Sequence, residues 1–156
     1  MTEGELENAI PVGEFVSRLF SLRIDKKSPD TQLTLPELLR FGHFRGWLED
    51  ADERNPTAPL NRQTAARITH EFLRLELNIP DLADITPATK LSDLYICRAC
   101  ANHIAQVYCR GIMDAKKVEP DFSDSTQSHS LLIFNHLALL PKSEAQVIFK
   151  KLEKLL

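Results

Sequence analysis

Apolar side chains recur at helical spacing in several separate segments of this chain, and no segment shows sustained strand-like alternation. Only 5 of the 156 residues are glycine, which disfavours turn-rich β-sandwiches, propellers and glycine-lined phosphate loops. An apolar content of 43% is enough to build one core, and the length is that of a single average domain. The sequence therefore predicts an all-α fold.

Proline, glycine and capping residues predict where these helices begin and end. The expected spans are 11–21, 35–46, 61–75, 92–111, 125–140 and 141–156. Gly46 and Gly111 are suited to stop helices, because glycine readily adopts the left-handed conformation that follows a helix end. Asn61 can cap free backbone N–H groups, and Pro141 separates the last two helices because proline disfavours helix at the preceding residue.

The same order of helix end, polar loop and new helix start occurs twice along the chain. Arg45-Gly46-Trp47 and Arg110-Gly111-Ile112 each end a helix, and each precedes a polar loop that contains proline. A new helix is expected after the same interval, at Asn61 and at Thr126, and the apolar stripes Ala65/Ile68/Phe72 and Ser130/Ile133/Leu137 then coincide. The sequence therefore predicts two helix-loop-helix units, with the helix at Pro11 as the second half of another.

This pattern resembles the S-layer homology domain family from about Ile10 to Leu140, most closely over residues 35–75. The resemblance implies tandem helix-loop-helix repeats in a pseudo-threefold helical module. Residues 1–156 would form one such module, with a half repeat at 10–22, repeats at 34–77 and 90–140, and a closing helix at 141–156.

The resemblance also implies a function, which is noncovalent anchoring to the pyruvylated secondary polysaccharide of a bacterial cell wall. Arg62 matches the arginine of the family and Trp47 its aromatic residue, while Asn61 and Gly46 complete the expected binding site. A guanidinium suits an acidic ketal, and an aromatic ring suits the flat face of a sugar. Val12 and Gln127 replace the other two arginines, so we expect one charged pocket and no enzyme activity, catalytic residue, metal or cofactor.

Arg62 raises an electrostatic question by itself, because a cation is disfavoured at the N-terminal end of a helix. Either a bound ligand compensates its charge, or acidic residues of the preceding loop do so, namely Asp50, Asp52 or Glu53. Trp47, the only tryptophan, could instead pack between repeats.

Charge and hydropathy restrict the partners. The formal net charge of -3 does not favour nucleic acid, and no apolar stretch reaches the roughly 18–20 residues that span a bilayer. The first residues do not resemble a signal peptide, so a cell-surface or cell-wall location is expected if the chain is a fragment of an exported protein. The alternative function is a degenerate repeat that serves as a protein–protein interaction scaffold. A cysteine- or metal-dependent enzyme is the third class considered.

The three cysteines, Cys97, Cys100 and Cys109, are clustered and odd in number. Such a set does not suit the disulfide framework that is typical of small secreted domains. We therefore expect the cysteines to be small buried thiols. Cys97, Cys100 and His103 lie on one predicted helix and cannot close a tetrahedral zinc site by themselves.

Overall fold

A computed structural model describes residues 3–27, 33–119 and 131–156, and this part of the chain is mostly helical. Its α-helices are α1 (Glu3–Asn8), α2 (Val12–Lys27), α3 (Leu35–Arg45), α4 (Asp50–Arg54), α5 (Arg62–Leu75), α6 (Arg98–Cys109) and α7 (Lys142–Glu153). Two 3₁₀ helices, Thr86–Lys90 and Leu94–Ile96, precede α6. Strands β1 (Lys116–Val118) and β2 (Leu131–Ile133) pair antiparallel, with Lys116 opposite Ile133. The all-α prediction is confirmed as a largely helical fold.

Four predicted helices are confirmed as α2, α3, α5 and α7, because local sequence signals start and stop them. Thr34 and Glu37 form a reciprocal capping box at the start of α3, and Gly46 ends it with a φ of 94°. Asn61 caps α5, where its Oδ1 accepts the Thr64 backbone N–H at 2.8 Å. Helices α1 and α4 were not predicted.

Three extended segments meet at the centre of the molecule, and each leads directly into a helix. Their backbones form a closed ring of hydrogen bonds: Ile10 donates to Leu140, Leu140 donates to Leu60, and Leu60 donates to Ile10, at 2.8–2.9 Å. The three side chains are at most 1% exposed. Helices α2, α5 and α7 therefore leave a common centre, and burial of the three aliphatic side chains stabilises it.

The prediction of a helix at 125–140 is wrong for residues 131–140, the part of this range that the structure describes. Residues 131–133 form β2, residues 134–140 form a loop, and Leu137 of the predicted apolar stripe is 74% exposed. Contacts distant in sequence favour the extended backbone, namely the β1 pairing and the Asp93 carboxylate, which accepts the N–H groups of Phe134 and Asn135 at 2.8 Å. Residues 125–130, with Thr126 and Gln127, lie outside the described residues.

The prediction for the cysteines is wrong for two of them. Helix α6 begins at Arg98 instead of Ser92, and Cys97 and Cys100 form a disulfide across its first turn. One helical turn brings residues three apart together, and the Cα separation of 5.2 Å suits a disulfide. Cys109 is a free, partly buried thiol.

The closing helix α7 packs onto the rest of the core. Ala145, Ile148, Phe149 and Leu152 are all buried, and the Phe149 ring lies 5.2 Å from that of Phe15 in α2. The helix predicted after Pro141 therefore contributes an apolar face to the core. Within the described residues, no helix has the length and apolarity needed to cross a membrane.

Candidate functional site

A cavity of about 370 Å³ opens beside the first turn of α5, within the usual range for small-ligand sites. Arg62 comes from α5, and Glu144 and Lys151 come from α7. Asp114 lies just before β1, and Lys116 is the first residue of that strand. The remaining lining is mostly apolar, including Ile112, Met113, Leu139 and Val147. Apolar walls with a few converging polar groups are typical of a binding site.

Arg62 forms the floor of this cavity and is 8% exposed. Its Nε donates to the Phe134 carbonyl at 2.8 Å, its Nη2 donates to the Asp114 carbonyl at 2.5 Å, and its Nη1 pairs with Glu144. The guanidinium also lies over the Phe134 ring, 4.6 Å from the centroid. These contacts hold the guanidinium in place and join three segments of the chain around it.

Burial lowers the pKa of the Arg62 guanidinium from its ordinary value, while the nearby charges of Asp114 and Asp93 oppose that effect. Arginine nevertheless stays protonated, so its charge needs a compensating partner. Glu144 supplies it, whereas Asp52 of the preceding segment pairs with Arg67 at 2.8 Å. A protein carboxylate therefore compensates this cation, but it comes from α7 and is none of the three loop residues considered, Asp50, Asp52 and Glu53.

The cavity carries one net positive charge. Arg62, Lys116 and Lys151 contribute three cations, and Asp114 and Glu144 contribute two anions. Lys151 Nζ lies 3.9 Å from a carboxylate oxygen of Asp114, whose side chain is 83% exposed. A surface pair of this kind is weak and exchanges readily, so Lys151 remains accessible to an anionic ligand. Lys116 is itself exposed.

Trp47 does not line the cavity and is fully buried. Its ring packs against Phe72 at a centroid distance of 5.2 Å, and its Nε1 donates to the buried Glu76 carboxylate at 3.2 Å. Arg45 also pairs with that carboxylate, at 2.8 Å. The platform role expected for Trp47 is inconsistent with this burial, because a sugar face could not reach the ring. Ile112, which matches Trp47 in the second predicted unit, lines the cavity instead.

Gly46 and Asn61 also lie outside the lining of the cavity and act on the backbone. Gly46 adopts the left-handed conformation that ends α3, and Asn61 caps α5. Of the four residues predicted for the binding site, the cavity contains Arg62 alone.

The first turns of α5 and α7 make matching contacts. Arg62 is the second residue after Leu60, and it pairs with Glu144. Lys142 is the second residue after Leu140, and its Nζ lies 4.0 Å from a carboxylate oxygen of Glu14. Lys142 thus stands where the predicted alignment has Gln127. Val12 holds the corresponding position in α2 and is buried.

Sequence reasoning missed Lys116, Lys151 and Glu144 as lining residues. The structure brings them to Arg62 from positions more than fifty residues further along the chain. Pro141 and Asn61 each stand just before a helix, and Glu144 follows Pro141 at the spacing at which Thr64 follows Asn61. Matching these two helix starts could have identified Glu144 as a first-turn residue. The lysines carry no comparable local signal.

Two groups of side chains in the described residues have the composition and proximity of metal ligands, and neither lines the cavity. One contains His70, Glu71 and His103, and the other contains His43, Asp50 and Glu53.

No family profile, curated protein or solved structure matches this chain.

Proposed function

We propose that this chain is a non-catalytic binding module whose cavity beside Arg62 takes an acidic saccharide of the cell-wall type. The observation that carries the proposal is the cavity itself, which combines apolar walls, a fixed guanidinium and two accessible lysines in one volume of about 370 Å³. One net positive charge suits a sugar that bears a single carboxylate, such as a pyruvate ketal.

The arrangement of helices supports the resemblance to S-layer homology domains. Three helices start from a ring of backbone hydrogen bonds between Ile10, Leu60 and Leu140, which is the topology expected of a three-pronged module. The paired first turns of α5 and α7 agree with a repeated element that recurs at Pro11, Asn61 and Pro141. On this proposal the third element begins at Pro141, and residues 131–140 precede it as a strand and a loop.

The ligand contacts proposed here differ from those expected from the family. Because Glu144 already pairs with Arg62, a ligand carboxylate would meet Lys116 and Lys151 first. The aliphatic side chains of Leu139 and Val147 offer the sugar ring an apolar wall in place of an aromatic platform. Arg62 then acts by fixing Glu144 and the loop carbonyls around the ligand.

Co-sedimentation with purified wall polymer tests the proposal, using polymer that carries pyruvate ketals and the same polymer after mild acid has removed them. We expect binding to the first only. Lys151→Ala and Lys116→Ala should each weaken it about tenfold, because each removes one charge-assisted contact.

Lys150→Ala is the matched control, since Lys150 neighbours Lys151 on α7 but does not line the cavity. Equal binding to both polymers, or equal loss in the Lys150 and Lys151 variants, would contradict the proposal.

A protein-interaction scaffold is the second candidate, and exposed apolar side chains favour it. Tyr95 and Ile96, adjacent to the disulfide, are 65% and 78% exposed. Sedimentation velocity over a range of concentrations tests self-association through them. A dimer that is lost in Ile96→Ser would support this candidate. A protein that stays monomeric at all concentrations would exclude self-association through these side chains.

A further inference from the structure

Helices α5 and α6 pack together at a histidine cluster that lies outside the cavity proposed for saccharide. His70 and Glu71 come from α5, and His103 comes from α6. The two Nδ1 atoms are 2.8 Å apart, and a Glu71 carboxylate oxygen lies 3.8 Å from Nδ1 of His103. The three ligand atoms all lie within 4.8 Å of one another.

We propose that His70, His103 and Glu71 bind a divalent transition-metal ion, best suited to Zn²⁺, between α5 and α6. A tetrahedral ion with Zn–N bonds of about 2.0–2.1 Å holds its two nitrogens about 3.3 Å apart. The observed nitrogens would need to separate by only about half an ångström. Two imidazoles and one carboxylate occupy three positions, which leaves a fourth for water or an external ligand.

A carboxylate behind His70 supports this assignment. Nε2 of His70 lies 2.7 Å from Oδ1 of Asp81, and the other oxygen of Asp81 accepts a hydrogen bond from Asn102 at 3.3 Å. A carboxylate on the far nitrogen fixes the imidazole tautomer and orients the other nitrogen toward a metal. Nδ1 of His70 therefore presents its lone pair toward His103.

The Glu71 carboxylate is divided between two partners. Arg74 pairs with one carboxylate oxygen of Glu71 at 2.6 Å, while the other oxygen faces His103. The side chains of His103 and Glu71 are 19% and 16% exposed, which leaves a path for the ion to enter.

The alternative is a chain of hydrogen bonds without metal, in which His103 Nδ1–H donates to His70 and His70 Nε2–H donates to Asp81. Titration calorimetry with Zn²⁺ distinguishes the two. The protein should be metal-free, free of chelator and reductant, with Cys109→Ser as the background so that no free thiol competes. We expect about one ion per chain, at a site that His103→Gln abolishes. Asp81→Asn should weaken it about 10–100-fold, which is usual for the partner of a ligating histidine.

His43→Gln is the control, because His43 belongs to the other candidate cluster, with Asp50 and Glu53. Zinc binding lost in this variant and retained in His103→Gln would overturn the proposal, as would the absence of binding. Should His103→Gln fail to fold, anomalous diffraction at the zinc edge from crystals of the unsubstituted protein grown with Zn²⁺ gives the answer. A peak about 2.0–2.2 Å from both Nδ1 atoms supports the proposal, and a peak elsewhere or none overturns it.

Discussion

Asp93 connects the start of the α6 region to the loop beneath Arg62, and replacing it with asparagine tests that connection. Its two carboxylate oxygens each accept one backbone N–H at 2.8 Å, from Phe134 and from Asn135. The side chain is only 11% exposed, so water cannot readily substitute. An asparagine amide has one acceptor oxygen, and its NH₂ group would face the second N–H, donor against donor.

We expect Asp93→Asn to lower the free energy of unfolding by about 2–4 kcal/mol. One N–H loses its acceptor, which costs about 1–3 kcal/mol, and the remaining hydrogen bond loses the charge that roughly doubles its strength. Urea unfolding followed by fluorescence measures the change, with Trp47 as the single tryptophan. With a typical slope of about 2 kcal/mol per molar urea, the midpoint should fall by about 1–2 M.

Asp84→Asn is the matched control, because exposed Asp84 accepts a single N–H, from Thr86, in a turn that asparagine can also form. Its free energy of unfolding should change by less than about 0.5 kcal/mol. Hydrogen exchange provides a local readout, since the amides of Phe134 and Asn135 should exchange faster in the Asp93 variant. An Asp93 variant as stable as the Asp84 control, with these amides still protected, would refute the reasoning.

Three further substitutions have defined outcomes. Gly46→Ala should cost about 1–2 kcal/mol in urea unfolding, because alanine is strained at a φ of 94°; an unchanged midpoint would contradict this. Asn61→Ala should cost about 1 kcal/mol through loss of the cap on Thr64, seen as a Tm about 2–4 °C lower, whereas an equal Tm would exclude a stabilising cap. Glu76→Ala should cost about 2–4 kcal/mol and shift Trp47 emission to the red, because the indole N–H loses its buried acceptor and water enters; unshifted emission would argue against that contact.

The parts of the fold that the sequence predicted are those governed by neighbours along the chain. The capping box of Thr34 and Glu37, the left-handed Gly46 and the cap at Asn61 all act within one helical turn. Such signals depend little on the rest of the molecule, so α3 and α5 begin and end as expected.

Residues 131–140 show why the remainder could not be predicted in this way. Ile133 and Leu137 match a helical stripe, but a helix there would break the pairing with β1 and leave the Asp93 carboxylate without its two N–H donors. The Asp93 contacts span 41 and 42 residues. The β1 pairing spans 13 to 17 residues (131−118 and 133−116). Together these contacts overrode the local preference. The predicted repeat depended on the helix at 125–140, because Thr126 was matched to Asn61. In the ring of hydrogen bonds it is Leu140, just before Pro141, that corresponds to Leu60, just before Asn61.

The candidate site follows the same division between local and distant contacts. Arg62 was identified through the resemblance to the S-layer homology family and through its place in the first turn of a helix, where a cation requires a partner. The identity of the partner depends on which segment lies across the central ring, and Glu144 of α7 occupies that position. Since the internal carboxylate already compensates Arg62, an acidic ligand gains little from displacing it. Recognition should therefore depend more on Lys116 and Lys151, and removing either lysine should affect binding more than stability.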